Sequence, residues 1–460
     1  MQDKFYYLRG KKLCKKISNK DLMSIYKSIA DSVHKYIDIP KKIYSDLIDT
    51  IEFQRLRRIM QLAGVQISYP SATHSRFAHS LGAFHIANRI ISTLRRRYPQ
   101  DITKEDVELV LTSALLHDIG HGPFSHMFED TIKMLCENKD SRICQKFELF
   151  MKHEQVSEEI VLSPDSAVGT ILKKEGKNKE KIADLIRGRG IEQKPFLNQI
   201  VSSQIDADSL DYLMRDSLET GVSFGLYNLD RLFAMMKLSE DKSIVIKEKA
   251  LQSAEQVVIA RYMQFTRVYF HKTVRCWEFM LKLLLSELFK EVMEGTVLPI
   301  FPPIEDFVQS PKWQNLVPLT DDSVYAQIQL LSKSKYNDHF LVKLAQKILR
   351  RDLFKSCVLT DSMAREIEKR EDEITKILEK HGYPPYAYRI DRFVSRYYTP
   401  YDEVNRDAIL IEKKTGEIVQ LSEISEVVAS LSAPKYNNLL IFPSECREEI
   451  KKLLKTVPKA

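Results

Sequence analysis

The stretch HDIGHGPFSHMFE, residues 117–129, decides how the fold of this sequence is interpreted. It opens with an adjacent histidine and aspartate, His117 and Asp118, and two further histidines follow, His121 and His126. Neighbouring side chains on a helix diverge by roughly 100°, but at the last turn of a helix they can converge on one point. Imidazole nitrogens and carboxylate oxygens are good ligands for divalent metals. The stretch therefore predicts a metal site at the end of a helix.

The helix that leads into this stretch is the clearest element in the sequence, over residues 103–120. Thr103 and Asp106 form a capping pair that opens it. Apolar residues then recur at helical spacing, and Gly120 and Gly122 close the helix. The two glycines also let the backbone pass close to a ligand.

Two more long helices are predicted, over residues 75–97 and 197–219. On the first, Arg76 and His79 lie one turn apart and share a face, so a guanidinium lies beside a potential metal ligand. One face of the second helix carries Asp208, Tyr212, Arg215 and Asp216. Three helices thus contribute four predicted metal ligands: His79, His117, Asp118 and Asp208.

The chemistry follows from this set of side chains. Two imidazoles and two carboxylates balance most of the charge of a divalent ion, which can activate a water and polarise a phosphoryl oxygen. Arg76 either neutralises charge on the phosphate or only pairs with an aspartate of the site. His126 or His121 either supplies a proton to the leaving oxygen or orients the ligands. His153, next to Glu154, is an alternative acid–base residue near the substrate.

The composition bounds the class of protein. The 460 residues suit two lobes, and 44 % hydrophobic with 29 % charged residues is ordinary globular composition. Since no apolar run approaches the roughly 18 residues of a spanning helix, and none follows the basic N-terminus, we expect neither an anchor nor a signal peptide. Six scattered cysteines indicate free thiols in the cytoplasm. The net charge of +7 weakly favours an anionic partner, either a nucleotide or a nucleic acid.

The organisation predicted along the chain is an N-terminal segment (1–27), a helical core (28–300) and a smaller C-terminal α/β lobe (301–460). The proline-rich residues 300–313 start that lobe. Residues 136–146 and 173–195, rich in charged side chains, are predicted to be surface insertions, the second a solvated loop.

The C-terminal lobe carries the strand signals. Asp407–Glu412 and Glu417–Leu421 flank a turn at Lys413–Gly416 and predict a hairpin. Residues 422–431 predict a short helix, and Asn438–Phe442 another strand. The fold class is therefore mainly α within α+β.

These motifs resemble the HD-domain dNTP triphosphohydrolases, both the bacterial enzymes and the mammalian enzyme with an added SAM domain. The order H…HD…D is kept, and HDIGHGPFSHMFE, RFAHSLG and IDADSLDYLMRD are in family form. The resemblance is clear over residues 28–300 and weaker through 319–328 and 348–355. It implies a divalent metal (Mg, Mn, Fe, Ni or Zn) and cleavage of a dNTP to a deoxynucleoside and inorganic triphosphate.

The resemblance also implies residue roles. The metal ligands are again His79, His117, Asp118 and Asp208. The catalytic residues are His121, His126, His153 and Glu129, the last being Asp in the mammalian branch. The implied substrate contacts are Gln61 and Leu62 beside the sugar, Arg76 and Arg261 on phosphate, Tyr212 and Asp216 near the 3′-hydroxyl, and Tyr269 and His271 near the sugar and base. Ser209 stands where the mammalian branch has a phosphate-binding lysine.

Residues 49–62, DTIEFQRLRRIMQL, resemble the family's activator segment, here named the 49–62 segment. Asp49, Gln54 and Arg57 are implied to read the guanine of GTP or dGTP at a subunit interface of a dimer or tetramer. The alternative is a solvated helix face with Asp49 as its N-cap, the exposed side chains being Arg55, Arg57 and Arg58. The N-terminal turn of the activator pocket is partly kept as residues 31–34.

Two other functions compete with this interpretation. A nuclease or phosphodiesterase can use the same metal site, but no interleaving of aromatic and basic residues marks a nucleic-acid groove. A non-catalytic nucleotide-binding scaffold would have no reason to keep all of the ligands and histidines.

Overall fold

The computed structural model describes residues 26–41, 43–137, 141–395, 397–399, 408–433 and 435–457. Residues 1–25 of the predicted N-terminal segment and Asp407 of the predicted hairpin lie outside the described residues. The domain boundaries at residues 28 and 300 stay predictions.

Helices dominate the part of the chain that is described, and the prediction of a mainly α, α+β fold is confirmed. The helices up to residue 300 are α1 (Ile43–Ile48), α2 (Ile51–Gln54), α3 (Arg76–Arg97), α4 (Lys104–Leu116), α5 (His126–Cys136), α6 (Ser141–Phe147), α7 (His153–Leu162), α8 (Ala167–Lys174), α9 (Lys179–Ile186), α10 (Pro195–Val201), α11 (Ala207–Thr220), α12 (Leu229–Met235), α13 (Leu251–Gln264) and α14 (Lys272–Glu294). Those that follow are α15 (Pro302–Gln309), α16 (Trp313–Leu316), α17 (Asp321–Ser332), α18 (Phe340–Leu349), α19 (Asp361–Glu368), α20 (Glu371–Lys380), α21 (Leu421–Ile424), α22 (Glu426–Leu431) and α23 (Arg447–Lys455).

Short strands form three small sheets. The strands are β1 (Tyr26–Asp31), β2 (Lys35–Pro40), β3 (Met236–Leu238), β4 (Ile244–Lys247), β5 (Lys355–Leu359), β6 (Arg389–Ser395), β7 (Leu410–Glu412), β8 (Ile418–Gln420) and β9 (Lys435–Phe442). The sheets run β1-β2, β3-β4-β7-β8 and β5-β9-β6. The chain up to residue 300 is mostly helical, as expected, but the short strands β1 to β4 were not predicted.

Strand pairing joins distant parts of the chain. The predicted hairpin is confirmed, with β7 and β8 antiparallel from Leu410↔Gln420 to Glu412↔Ile418. Its β7 also pairs in parallel with β4, so the C-terminal hairpin completes a sheet begun before residue 250.

Long helix α3 lies at the centre of the packing and contacts both α4 and α11. It buries one whole side, including Phe84 and Ile90. The predicted capping box of α4 is confirmed, since Thr103 accepts from the Asp106 amide and Asp106 accepts from the Thr103 amide. Helix α4 ends at Leu116, so residues 117–125 form a loop, here named the HD loop.

Three local predictions need correction. The helix predicted over 197–219 is broken between α10 and α11, because the Asp206 carboxylate accepts from the amides of Ser203 and Ser209 and starts a new helix. Residues 173–195 are not a solvated loop, since α9 buries one face. The helix predicted over 422–431 is interrupted at Ser425, whose hydroxyl caps α22. None of the described helices is long and apolar enough to cross a membrane.

Candidate functional site

The four predicted metal ligands converge from three parts of the fold, and they are here named the ligand cluster (His79, His117, Asp118 and Asp208). Nε2 of His79 lies 2.9 Å from Oδ1 of Asp208 and 3.8 Å from Oδ2 of Asp118. Nε2 of His117 lies 3.2 Å from Oδ1 of Asp118 and 3.9 Å from Oδ1 of Asp208. Helix α3, the HD loop and the first turn of α11 thus bring two imidazoles and two carboxylates to one point.

The ligand cluster fits a divalent metal. Nε2 of His79 and Nε2 of His117 are buried, and neither makes a well-directed hydrogen bond among the described residues, although carboxylate oxygens lie 2.9 and 3.2 Å away. The ligating atoms of His79, His117 and Asp118 lie within 4.8 Å of one another. Buried polar atoms without partners are rare in proteins, and nitrogen and oxygen donors of this kind suit divalent ions. The His/Asp cluster is therefore consistent with divalent metal binding, while the four individual ligands stay a prediction.

The electrostatics of the cluster favour a cation. Burial opposes protonation of His79, but the carboxylates of Asp208 and Asp211 outweigh it and raise the pKa of His79 to about 10. Burial also opposes ionisation of Asp118, yet Arg76 and His117 hold its pKa well below the usual range. A bound metal ion would take the place of the proton on His79.

Arg76 faces the cluster with its side chain almost fully buried. Its Nη1 donates to Oδ2 of Asp118 at 2.7 Å, and its Nε donates to Oγ of Ser125 at 2.6 Å. The arrangement matches the alternative in which Arg76 pairs with an aspartate of the site. Its contact with a substrate phosphate stays a prediction.

A second group of side chains, here named the histidine cluster (His121, His126, Glu129 and His153), adjoins the first. Oε1 of Glu129 accepts from Nδ1 of His126 at 3.1 Å and from Nδ1 of His153 at 2.8 Å. Burial opposes ionisation of Glu129, but these two histidines hold its pKa well below the usual range. The rings of His121 and His153 stack with their centroids 3.6 Å apart.

Asp118 joins the two clusters. Its Oδ1 lies 3.3 Å from Nε2 of His121 and 3.9 Å from Nε2 of His153. Burial and the charge of Arg76 lower the pKa of His121 well below its usual value. The His126 side chain is 66 % exposed, so it can reach a bound molecule. A buried imidazole, His121, and an exposed one, His126, therefore lie beside the predicted metal site. This arrangement is suited to proton transfer.

The end of the HD loop is strained and held by distant residues. Phe124 and Ser125 have φ values of 57° and 62°, which is uncommon for residues other than glycine. The Asp321 carboxylate accepts from the Phe124 amide at 2.6 Å, and the Ser125 hydroxyl donates to the Met60 carbonyl at 2.6 Å. These contacts fix the direction in which α5 begins and so place His126.

The predicted substrate contacts are partly brought together. Asp216 accepts from Tyr269 and, at 2.8 Å, from Nε2 of His74. Burial, with the nearby Asp216 carboxylate, raises the pKa of Tyr269 well above its usual value. Burial likewise raises the pKa of Tyr212, which lies near Arg261.

The other predicted substrate-binding residues contact different parts of the protein and do not form one group. Arg261 donates to the Gln204 carbonyl at 2.7 Å and to the Ser209 hydroxyl at 3.1 Å, so Ser209 supports an arginine instead of supplying a cation. His271 lies 3.2 Å from the Ser68 hydroxyl through Nδ1. Oε1 of Gln61 is buried and has no hydrogen-bond partner within the described part of the chain. Leu62 packs in a small apolar cluster with Val65 and Val268.

The 49–62 segment does not form the predicted helix face with Asp49 as its N-cap. Thr50, not Asp49, caps the four-residue helix α2, and a 3₁₀ turn follows over Arg55–Arg58. Asp49 is 62 % exposed and lies 4.0 Å from Lys27. Gln54 accepts from Nε of Arg57 at 2.8 Å, and the Arg57 guanidinium lies 3.5 Å from the centre of the Phe77 ring.

Arg55 corrects the alternative of a solvated arginine face. Its guanidinium is buried and donates to backbone carbonyls, including His121 at 2.7 Å, Leu319 at 2.9 Å and Val317 at 3.0 Å. Arg55 therefore ties the segment to the HD loop. No local pattern signals this burial, because the acceptors are main-chain atoms of distant residues.

Sequence reasoning missed Asp211 and His74 as parts of the site, and it assigned His34 to the turn of the activator pocket instead. Asp211 lies three residues after Asp208, and that spacing was an available signal, since it places a second carboxylate on nearly the same helix face. His34 and His74 stand in a turn and a loop, where no periodicity marks them.

Comparison with known proteins agrees with this geometry. Residues 76–213 match the HD domain, and residues 228–297 match the HD associated region. The Bacillus subtilis protein YwfO is 31 % identical over 431 residues, covering 92 % of this chain and 93 % of that protein. A Bacteroides thetaiotaomicron phosphohydrolase structure superposes with a TM-score of 0.75 at 28 % identity, covering 91 % of this chain and 99 % of that chain. The chain belongs to the HD-domain phosphohydrolases, and is thus a hydrolase.

More distant relatives have a defined activity in their names. The deoxynucleoside triphosphate triphosphohydrolase SAMHD1 of Gallus gallus is 30 % identical over 361 residues, covering 73 % of this chain and 56 % of that protein. The SAMHD1 homolog of Dictyostelium discoideum is 29 % identical over 368 residues, covering 76 % of this chain and 64 % of that protein. The chain thus spans less than two thirds of each of these two relatives.

Proposed function

We propose that this chain is a metal-dependent dNTP triphosphohydrolase, which releases a deoxynucleoside and inorganic triphosphate. The observation that carries the proposal is the junction of the ligand cluster and the histidine cluster at Asp118. The similarity to the SAMHD1 proteins supports a nucleoside triphosphate as substrate.

The residues have complementary tasks in this reaction. His79, His117, Asp118 and Asp208 hold the divalent ion. When bound, that ion polarises the phosphate and lowers the pKa of a water. A water oxygen bonds to the α-phosphorus and loses one proton to solvent, and the bond from that phosphorus to the 5′-oxygen breaks. His126 or His153, oriented by Glu129, donates a proton to the leaving 5′-oxygen.

Recognition of the sugar is assigned to residues outside the ligand cluster and the histidine cluster. Asp216 and Tyr269 form a buried polar pair that suits the 3′-hydroxyl. Gln61 and Leu62 are proposed to pack against C2′, where a 2′-hydroxyl would clash or lose its water. Deoxynucleotides are therefore expected to be cleaved much faster than ribonucleotides.

The test is a product analysis with each dNTP and each NTP in Mn²⁺, with single-stranded DNA and RNA as parallel substrates. The expected products from dNTPs are a deoxynucleoside and triphosphate, and the matched inactive control is His117→Ala. Equal rates on dATP and ATP would remove the dNTPase proposal and favour a broader phosphohydrolase. Cleavage of DNA or RNA alone would favour a nuclease.

Activation by a guanine nucleotide is a further part of the proposal. Asp49, Gln54 and Arg57 offer an exposed carboxylate, an amide and a guanidinium, which can pair with the edges of guanine. The buried contact of Arg55 with the His121 carbonyl gives this segment a route to the HD loop. Assembly into a dimer or tetramer around the nucleotide is proposed with it.

A further inference from the structure

We propose that Asp211 is a positioning residue for His79, and that the turn of the β1–β2 hairpin holds Asp211 in place. The inference rests on the metal site of the proposed function. It makes the turn at residues 31–34 a functional part of the metal centre, although that turn lies far from the HD loop in sequence.

The two histidines of the ligand cluster use their second ring nitrogen differently. Nδ1 of His117 donates to the Ala114 carbonyl at 2.9 Å, so the last turn of the preceding helix α4 sets its orientation. Nδ1 of His79 lies 2.9 Å from Oδ2 of Asp211, a carboxylate on another helix. A histidine that binds a metal through Nε2 must carry its proton on Nδ1, and a carboxylate there fixes both tautomer and ring direction.

Asp211 is fully buried and is held from two further sides. Arg215 donates to it through Nε at 2.8 Å and Nη2 at 3.0 Å. His34 lies 2.6 Å from Oδ1 of Asp211 through Nε2. The carboxylate also lies against the backbone of α3, where a Cβ on Gly82 would come within 1.9 Å of Oδ1. Glycine is thus required at this approach of the two helices.

The hairpin turn closes this network. The Asp31 carboxylate accepts from the His34 amide at 2.8 Å and the Val33 amide at 2.9 Å, which shapes the turn. Arg215 donates to the same carboxylate at 2.9 Å through Nη1. Asp31, His34, Asp211 and Arg215 therefore form a closed ring of contacts, with the His34 side chain only 3 % exposed.

The ring explains why the turn matters for His79. If His34 is withdrawn, Oδ1 of Asp211 loses a partner while remaining buried. The carboxylate is then held by Arg215 and His79 alone and can shift within its buried position, which moves Oδ2 relative to Nδ1 of His79. A purely structural role for the Asp211–Arg215 pair would change the stability of the protein but not its metal affinity.

The experiment compares Mn²⁺ affinity, measured by the electron paramagnetic resonance of free Mn²⁺, with thermal unfolding of the metal-free protein. Asp211→Asn is expected to weaken Mn²⁺ binding by about 10- to 100-fold. The matched control is Asp391→Asn, which removes another buried carboxylate paired with an arginine, Arg275, outside both clusters. The control is expected to lower the unfolding temperature and to keep the wild-type Mn²⁺ affinity.

A second pair of variants tests the turn, and it serves also if Asp211→Asn fails to fold. His34→Phe removes the donor and is expected to weaken Mn²⁺ binding by about 3-fold or more. His34→Gln keeps a side-chain N–H donor and is expected to restore the affinity. Wild-type affinity in Asp211→Asn and His34→Phe would overturn the inference and leave the metal site standing. A wild-type chain that binds no Mn²⁺ would overturn the metal site itself, and the inference with it.

Discussion

The resemblance implied a function for both the ligand cluster and the 49–62 segment, but the two regions differ in burial and in how their polar groups are paired. In the ligand cluster, side chains from distant parts of the chain converge, and the buried Nε2 atoms of His79 and His117 face carboxylates without a well-directed hydrogen bond among the described residues. In the 49–62 segment, Gln54 and Arg57 pair with each other and Asp49 faces solvent.

This contrast indicates which of the two regions requires a bound ligand. A buried polar atom without a partner costs free energy, so its arrangement is explained by something that binds there. Exposed side chains that satisfy each other need nothing more in the isolated chain. The geometry of the ligand cluster therefore supports metal binding by itself. The activator role of the 49–62 segment depends on a partner molecule or subunit.

The strongest test of this comparison removes a ligand. His117→Ala and Asp208→Ala are each expected to lose the bound metal and to lower the hydrolysis rate by at least about 100-fold, because few ligands are available. Elemental analysis, turnover and far-ultraviolet circular dichroism are the measurements, with Asp338→Ala, which removes a fully exposed carboxylate outside both clusters, as control. Full metal occupancy in both ligand variants would contradict the assignment.

The next test separates metal binding from proton transfer. Glu129→Gln is expected to lower kcat by about 100-fold with unchanged metal content, because a neutral amide orients His126 and His153 less well. Glu154→Gln is the control, since the Glu154 carboxylate lies 3.7 Å from Nδ1 of His153 and is more exposed. Equal loss of kcat in the two variants would show that Glu129 has no special role.

A third test concerns stability within the 49–62 segment. Arg55→Met is expected to destabilise the protein by about 3 kcal/mol, because several buried carbonyls lose their donor. Arg58→Met is expected to change the free energy of unfolding by no more than about 0.5 kcal/mol, since that side chain is 68 % exposed. Urea unfolding of both variants gives the two values. Similar values would mean that the segment does not anchor the HD loop.

The smallest effect on the isolated protein is expected from the guanine-reading residues. Asp49→Ala and Arg57→Ala should keep the metal and change the stability by less than about 1 kcal/mol. Both variants should lose the response of assembly and turnover to GTP or dGTP, measured by sedimentation and by product formation. A wild-type chain equally assembled and active without guanine nucleotide would assign the segment a structural role only.

Much of the fold followed from short-range patterns. The capping box at Thr103, the long helix α3 and the β7–β8 hairpin depend on residues within a few positions of one another, so the sequence alone predicted them. The candidate ligands were found because their residue types and order are distinctive. That four such side chains converge was an expectation from the resemblance, and the structure brings them together.

The residues that have the chemistry of a metal site, and the positions of most helices, could be predicted from the sequence, because side-chain type and helical spacing are local properties. The partners of these residues depend on tertiary packing. It paired Asp211 with His79 and His34, buried Arg55 against distant carbonyls, and joined β4 to β7. These contacts join residues far apart in the chain, and their geometry is set by how whole helices and strands pack, which no local spacing encodes.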